Sequence, residues 1–310
     1  KELFTGYYSI EDCLDKVKEA GAQGVEIVSS QHLPEYPNPS TKSMEEFRKN
    51  VEMRGLLPVC YGAYADTGIK KGKSVSIDEL TECLLKDIKN AHIMGFPVIR
   101  LGYDTPIEVI YRTIGEAEKR DIRMGIEIHA PLTVAHPIYL TYKDAIDKME
   151  TPYLGFVPDF SGWAKKLPEA ILNAFIAHGM PEQLVNTLAS AFVMNVELAK
   201  LKETMHSKGV PASFDNILDL AYHLVVKGDP KSLKDMLKQS FHVHAKFWSL
   251  NDNDMETCIP YDKLLSIVMD SDYSGFITSE YEGYELTDQY DGQDNVLRHI
   301  NMMRRLLKEA

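Results

Sequence analysis

Two hydrophobic rhythms alternate along this chain. Short runs of apolar, β-compatible residues are each followed by a longer segment whose apolar positions recur every three to four residues. Residues 3–8, 24–28, 58–63, 97–101, 124–129, 154–158, 241–247 and 275–280 read as eight short strands. The helices predicted between them carry their own punctuation. Ser9-Ile10-Glu11-Asp12, Ser43-Met44-Glu45-Glu46 and Ser76-Ile77-Asp78-Glu79 resemble capping boxes, and Gly21, Gly55 and Gly95 stand where those helices would stop. Pro106 is expected in the first turn of the next helix, and 142–150, 261–270 and 293–308 are further helices. After the sixth strand the rhythm breaks. About eighty residues pass without a strand, and 167–178, 181–208 and 217–226 within them have helical periodicity.

Strands alternating with helices predict a parallel sheet, and eight of them fit a closed (β/α)8 TIM barrel of the α/β class, a single domain over 1–310. The segment 161–239 is expected to be a helical insertion between strands six and seven. An open doubly wound sheet is the rival architecture. Its dinucleotide-binding version needs a G-x-G-x-x-G after the first strand, which this chain lacks.

Composition narrows the function classes. The 310 residues are 44% hydrophobic and 26% charged, ordinary values for a globular protein. A net charge of -12 opposes nucleic-acid binding, which needs a basic surface. No apolar run reaches the roughly 18 residues that span a bilayer. Four cysteines without a C-x-x-C pair, and no signal-peptide pattern, point to a reduced cytoplasmic setting.

The chemistry collects at strand ends. In 241–247, His242, His244 and Lys246 alternate with Phe241, Val243 and Phe247, so one face of that strand is polar. Strand five ends in Glu127 and His129, strand six at Asp159, and strand eight in Glu280 with Glu282 nearby. A parallel barrel brings all these C-terminal ends to one face. Carboxylates gathered there would repel one another unless a cation sat among them. Three carboxylates and an imidazole suit one divalent ion, Mn2+ first, with Mg2+, Co2+ or Zn2+ as alternatives.

This order of strand-end residues resembles the xylose-isomerase-like TIM barrels, the sugar isomerase/epimerase superfamily. The matching pieces are Gly-Ile-Glu-Ile-His at 125–129, Val-Pro-Asp-Phe at 157–160, His-Val-His-Ala-Lys at 242–246 and Gly-Phe-Ile-Thr-Ser-Glu at 275–280. The resemblance implies Glu127, Asp159, His244 and Glu280 as metal ligands. Gly162, Thr133 and Leu250 depart from the ketohexose 3-epimerase pattern. The long helical insertion is more similar to the large subunit of bacterial C-glycoside deglycosidases. That narrower resemblance implies a divalent metal, a keto-sugar or glycoside substrate, a small β-rich partner subunit and an oligomeric assembly.

Two outcomes follow from one half-reaction. A base removes the proton beside a ketone held at the cation. Expulsion of a leaving group then makes a lyase, and reprotonation makes an epimerase or isomerase. His129 is the expected base, because an imidazole exchanges protons near neutral pH. Lys246 and Glu282 are expected to assist it. His242, Glu26, Arg100, Trp163, Trp248 and Tyr61 are candidates for substrate binding, and Tyr7 and Tyr64 also fall near strand ends. An apurinic-endonuclease relative would need several zinc ions and a basic surface, and a non-catalytic subunit would have lost ligands.

Overall fold

The computed structural model describes residues 8–33, 35–63, 75–283 and 292–309. Seven strands lie among them: β1 (Gly24–Val28), β2 (Leu57–Ala63), β3 (Val98–Leu101), β4 (Arg123–Ile128), β5 (Leu154–Pro158), β6 (His242–Phe247) and β7 (Phe276–Tyr281). Every pairing between these strands is parallel. β1 to β5 form one ladder and β6 with β7 another, and parallel bridges from Phe156 to Ser240 and from Asp159 to His244 join the two. Spatial order therefore follows chain order. Apart from Tyr8, the strand expected at 3–8, with Tyr7, lies outside the described residues, as does the tyrosine at 64. The β5–β6 approach is close: a side chain at Gly155 would meet the Gln239 carbonyl at 2.2 Å.

Helices alternate with these strands. The first, α1 (Ile10–Glu19), and α4 (Ile77–Met94) begin in complete capping boxes at Ser9 and Ser76. Between them come a single turn, α2 (Ser29–His32), and α3 (Thr41–Met53). The cap of α3 is Ser40, not Ser43: the Ser40 hydroxyl accepts from the Ser43 amide, and the Glu35 carboxylate takes the Ser40 amide at 2.8 Å. Pro106 caps α5 (Ile107–Lys119) instead of occupying its first turn. The next helix, α6 (Pro137–Met149), starts five residues earlier than its apolar period suggests. The His136 side chain accepts the Ile138 amide, and Pro137 occupies the first turn.

The long segment after β5 is helical, as expected: α7 (Glu169–Ala177), α8 (Glu182–Val193), α9 (Leu198–Ser207) and α10 (Asp215–Leu224). The single helix read over 181–208 is in fact α8 and α9. Asn195 takes a left-handed φ of 56°, and the Val196 amide reaches back to the Ala191 carbonyl, a C-terminal stop the period does not reveal. The segment returns to its own starting point: Trp163 pairs antiparallel with Lys227, and Val226 exchanges backbone bonds with Ser161 and Ala164. A helix the sequence did not announce, α11 (Lys231–Leu237), then leads into β6. Two helices, α12 (Tyr261–Met269) and α13 (Gly292–Glu309), complete the described chain. Among the described residues, most buried apolar side chains form one cluster that includes Leu14, Met303 and insertion residues Phe175, Leu188 and Met205, and Val59, Cys60 and Val98 form a small second one.

Candidate metal centre

Strand alternation builds the centre. On β6 the outward residues Val243, Ala245 and Phe247 are fully buried against the helices, which turns His242, His244 and Lys246 to the inside. The same period on β7 turns Thr278 and Glu280 inward, opposite His244 and Lys246 in register. Glu26 enters from β1, Arg100 from β3, Glu127 from β4 and Asp159 from the end of β5. Side chains from β1 and β6, near the two ends of the strand order, touch each other, as a sheet curled into a barrel requires.

Glu127, Asp159, His244 and Glu280 each present a ligand atom, and all four atoms lie within 4.8 Å of one another. His244 Nδ1 is 2.9 Å from Glu127 and 3.0 Å from Glu280, while its Nε2 is 2.9 Å from Glu26. Asp159 accepts the Ser161 amide on Oδ1 at 2.7 Å. Its Oδ2 is buried without a hydrogen bond, 3.1 Å from the Lys246 ammonium. Lys246 also pairs with Glu282 at 2.9 Å. Arg100 pairs with Glu26 at 2.7 Å and with Glu127. His242 lies 3.0 Å from Glu26 and 2.6 Å from the Thr278 hydroxyl.

The charges do not balance without help. Five carboxylates (Glu26, Glu127, Asp159, Glu280, Glu282) face two fixed cations, Arg100 and Lys246. Burial works against a charged His244, but Glu26, Glu280 and Glu127 overcome it and raise the imidazole well above its ordinary range. Burial pushes the Asp159 carboxyl up, against the pull of Lys246. Glu282 is pushed up to about 7 by burial, with Lys246 opposing. Protons thus take up part of the negative charge. A divalent cation fits the same place: the donors are oxygen and imidazole nitrogen, their spacing suits one ion, and Asp159 Oδ2 has an unused lone pair.

His129 sits at the end of β4, half-buried, its ring 5.0 Å from that of Tyr103. Its Nδ1 is 2.5 Å from the Ala130 carbonyl. A carbonyl only accepts, so Nδ1 carries the hydrogen of the neutral ring and Nε2 keeps the lone pair. Four residues expected to bind substrate are held by other groups of the protein. Tyr61 turns outward, fully buried, and donates to Asp87 at 2.7 Å. Trp248 is 1% exposed and belongs to the core. The Trp163 indole N–H donates to the Asp229 carbonyl and the Ser232 hydroxyl at the returning end of the insertion, not in the charged cluster. Arg100, expected to bind substrate, is held between two barrel carboxylates. Sequence reasoning missed Thr278 and Ser161. Each lies two residues from a proposed ligand, on the same face for Thr278 and in a side-chain-to-backbone turn for Ser161.

The family model described as xylose isomerase-like TIM barrel matches residues 14–306. Two curated relatives align over nearly all of both chains. The 3'-dehydrocarminate deglycosidase alpha subunit of a Microbacterium species is 28% identical over 99% of this chain and 93% of its own. A C-glycoside deglycosidase alpha subunit of Arthrobacter globiformis is 27% identical over 100% of this chain and 90% of its own. Among solved structures, D-psicose 3-epimerase from Clostridium cellulolyticum H10 superposes with a TM-score of 0.62, at 11% identity over 97% of this chain and 94% of its own. The IOLI protein with a bound zinc atom gives 0.58, at 13% identity over 97% and 94%. At such identities the likeness to solved structures shows the fold alone.

Proposed function

The chain belongs to the xylose isomerase-like TIM barrel family, and from that membership we propose a divalent-metal-dependent lyase that cleaves the glycosidic bond of 3-keto C-glycosides. The observation that carries the reading is the convergence of Glu127, Asp159, His244 and Glu280, whose ligand atoms lie within 4.8 Å of one another at neighbouring strand ends. The full-length relatives, both named as deglycosidase alpha subunits, favour elimination over epimerisation as the outcome and suggest a partner subunit for this chain too.

A divalent cation held by those four residues, Mn2+ for preference, supplies Lewis-acid polarisation of the ketone oxygen. The remaining work belongs to side chains. His129, with its lone pair on Nε2, takes the proton from C2, beside the ketone at C3. Lys246 offsets negative charge as it develops on the ketone oxygen. The C2–H electron pair then forms the C1–C2 double bond, and the bond from C1 to the aglycone breaks. Glu282, held at about 7 by burial, is protonated often enough near neutrality to give a proton to the departing carbon. His129 loses a proton to solvent and Glu282 regains one, so the cycle closes. His242 and Arg100, tied by Glu26, fix the shape of the surrounding wall.

The test is turnover by protein purified together with its natural partner, on 3-keto C-glucosides, 3-keto O-glucosides and free ketoses, with and without Mn2+. Metal-dependent release of aglycone supports the proposal. Turnover of free ketoses alone overturns it and leaves an epimerase.

A further inference from the structure

The ladder between β4 and β5 stops one rung short, and a serine side chain supplies the missing acceptor. The Asp159 amide donates to the Ile128 carbonyl at 3.0 Å. In a parallel ladder the next rung would run from the Ala130 amide to the Asp159 carbonyl. That carbonyl accepts instead from the Gly162 amide at 3.1 Å, because the chain bends there into a 3-10 turn, Phe160–Gly162. The Ala130 amide donates to the Ser161 hydroxyl oxygen, 3.1 Å away. Both residues are buried, so water does not compete for either group.

The amide, hydroxyl and carbonyl of Ser161 each engage a different part of the molecule. The amide donates to Oδ1 of Asp159 at 2.7 Å. The hydroxyl oxygen receives the Ala130 amide. The carbonyl accepts from the Val226 amide at 3.1 Å, at the returning end of the insertion. Ala130 in turn is held from both sides. Its amide is on Ser161, and its carbonyl takes the hydrogen on Nδ1 of His129 at 2.5 Å. Which nitrogen of an imidazole carries the hydrogen is set by the bond the other one makes. Ser161 therefore reaches the His129 ring through one residue of backbone. Without the hydroxyl, the buried Ala130 amide has no acceptor, a loss costly enough to make it turn. The carbonyl of the same residue turns with it, and the ring loses the partner that fixes its hydrogen. The amide of residue 161 remains, so Asp159 keeps its bond.

Resting on the lyase reading above, in which His129 is the base, we infer that Ser161 is a positioning residue: it holds the Ala130 backbone so that His129 keeps its hydrogen on Nδ1 and Nε2 stays free to take a proton. Two readouts test this, one of them independent of turnover. The first is nitrogen NMR of the holoprotein labelled in its histidine rings and loaded with diamagnetic Mg2+, with His129→Ala identifying the signals of that ring. The wild type is expected to show the hydrogen on Nδ1, and Ser161→Ala a mixture of the two tautomers. The second is turnover of a 3-keto C-glucoside by protein purified with its partner. Ser161→Ala is expected to lower kcat about 10- to 100-fold, with KM and Mn2+ affinity near their wild-type values. Ser161→Thr, which keeps the hydroxyl, is expected to restore both tautomer and kcat; should it fail to fold, the alanine variant, which deletes one oxygen and adds nothing, decides without it. A wild-type tautomer or a wild-type kcat in Ser161→Ala overturns the proposal, as does a loss of Mn2+ affinity that accounts for the whole fall in kcat. A tautomer shift in the alanine variant, in a protein that turns over no 3-keto glycoside, upholds the grip on His129 and removes the lyase.

Discussion

Glu26 bonds both imidazoles of β6 and the guanidinium of β3. A carboxylate on Nε2 of His244 fixes the ring so that Nδ1 faces Glu127 and Glu280, the orientation a metal-ligating imidazole needs. Glu26→Gln is therefore expected to lower Mn2+ affinity by about 10- to 100-fold, read by titration calorimetry of the metal-free protein. Unchanged affinity would mean the ring is held by something else. His244 also predicts a proton count. Its pKa is raised by the surrounding carboxylates, so the folded metal-free site keeps a proton that an entering cation must displace. Mn2+ binding is expected to release protons near neutral pH and to strengthen as pH rises; the heat measured in buffers of different ionisation enthalpy reports the release. His129→Ala should cut kcat by about 10²- to 10⁴-fold while Mn2+ affinity stays near wild type, if the ring moves a proton and holds no metal. At this scale the interior face was legible wherever alternation decides it, as for His242, His244 and Lys246. Tyr61 was not, because its neighbour Cys60 faces in and a tyrosine suits either face; only Asp87 on α4 settles the matter.

Elements were easiest to read where a side chain closes its own helix. Ser9 and Ser76 each stand directly before an isoleucine, with an acid three residues on, and both boxes form. Ser76→Ala should cost about 1 kcal/mol, read as a lower denaturation midpoint with an unchanged slope. Ser40 and Ser43 show where that reading ends. Both fit the local pattern, and the choice falls to Ser40 through Glu35, which lies in the preceding turn. The α8–α9 break hides for a similar reason: apolar period continues across Asn195, and nothing in that period records a backbone turned left-handed.

For the whole molecule, β-then-α order was plain in the sequence because each strand's run is short and each helix's period is long. What covers the outside of β6 and β7 was less plain. His299 is fully buried, stacked on Phe247 at 3.9 Å and bonded to Ser279 at 2.8 Å. Burial depresses it to about 3. Below the ordinary histidine range the unfolded chain binds a proton that the folded chain refuses. Its contribution to stability is thus complete above about pH 6.5 and declines as pH falls toward 3. Asp87 and Glu256, each raised to about 7 by burial, act with the opposite sign: their contribution is present at low pH and lost as pH rises through 7. His299→Phe should keep the stacked ring and move the acid unfolding midpoint, followed by circular dichroism, to lower pH. A midpoint that stays put would show that other groups govern acid unfolding.

The bridge between Trp163 and Lys227 has a further consequence for how such a chain can change. Since the insertion departs and comes home at adjacent points, residues added or dropped far out along it do not alter the gap its ends must span. Lengthening an excursion of that kind costs little, about 0.6 kcal/mol for each doubling of a flexible loop. Lineages sharing this scaffold are thereby free to trade one excursion for another, reshaping what the enzyme accepts while Asp159 and His244 stay where they are.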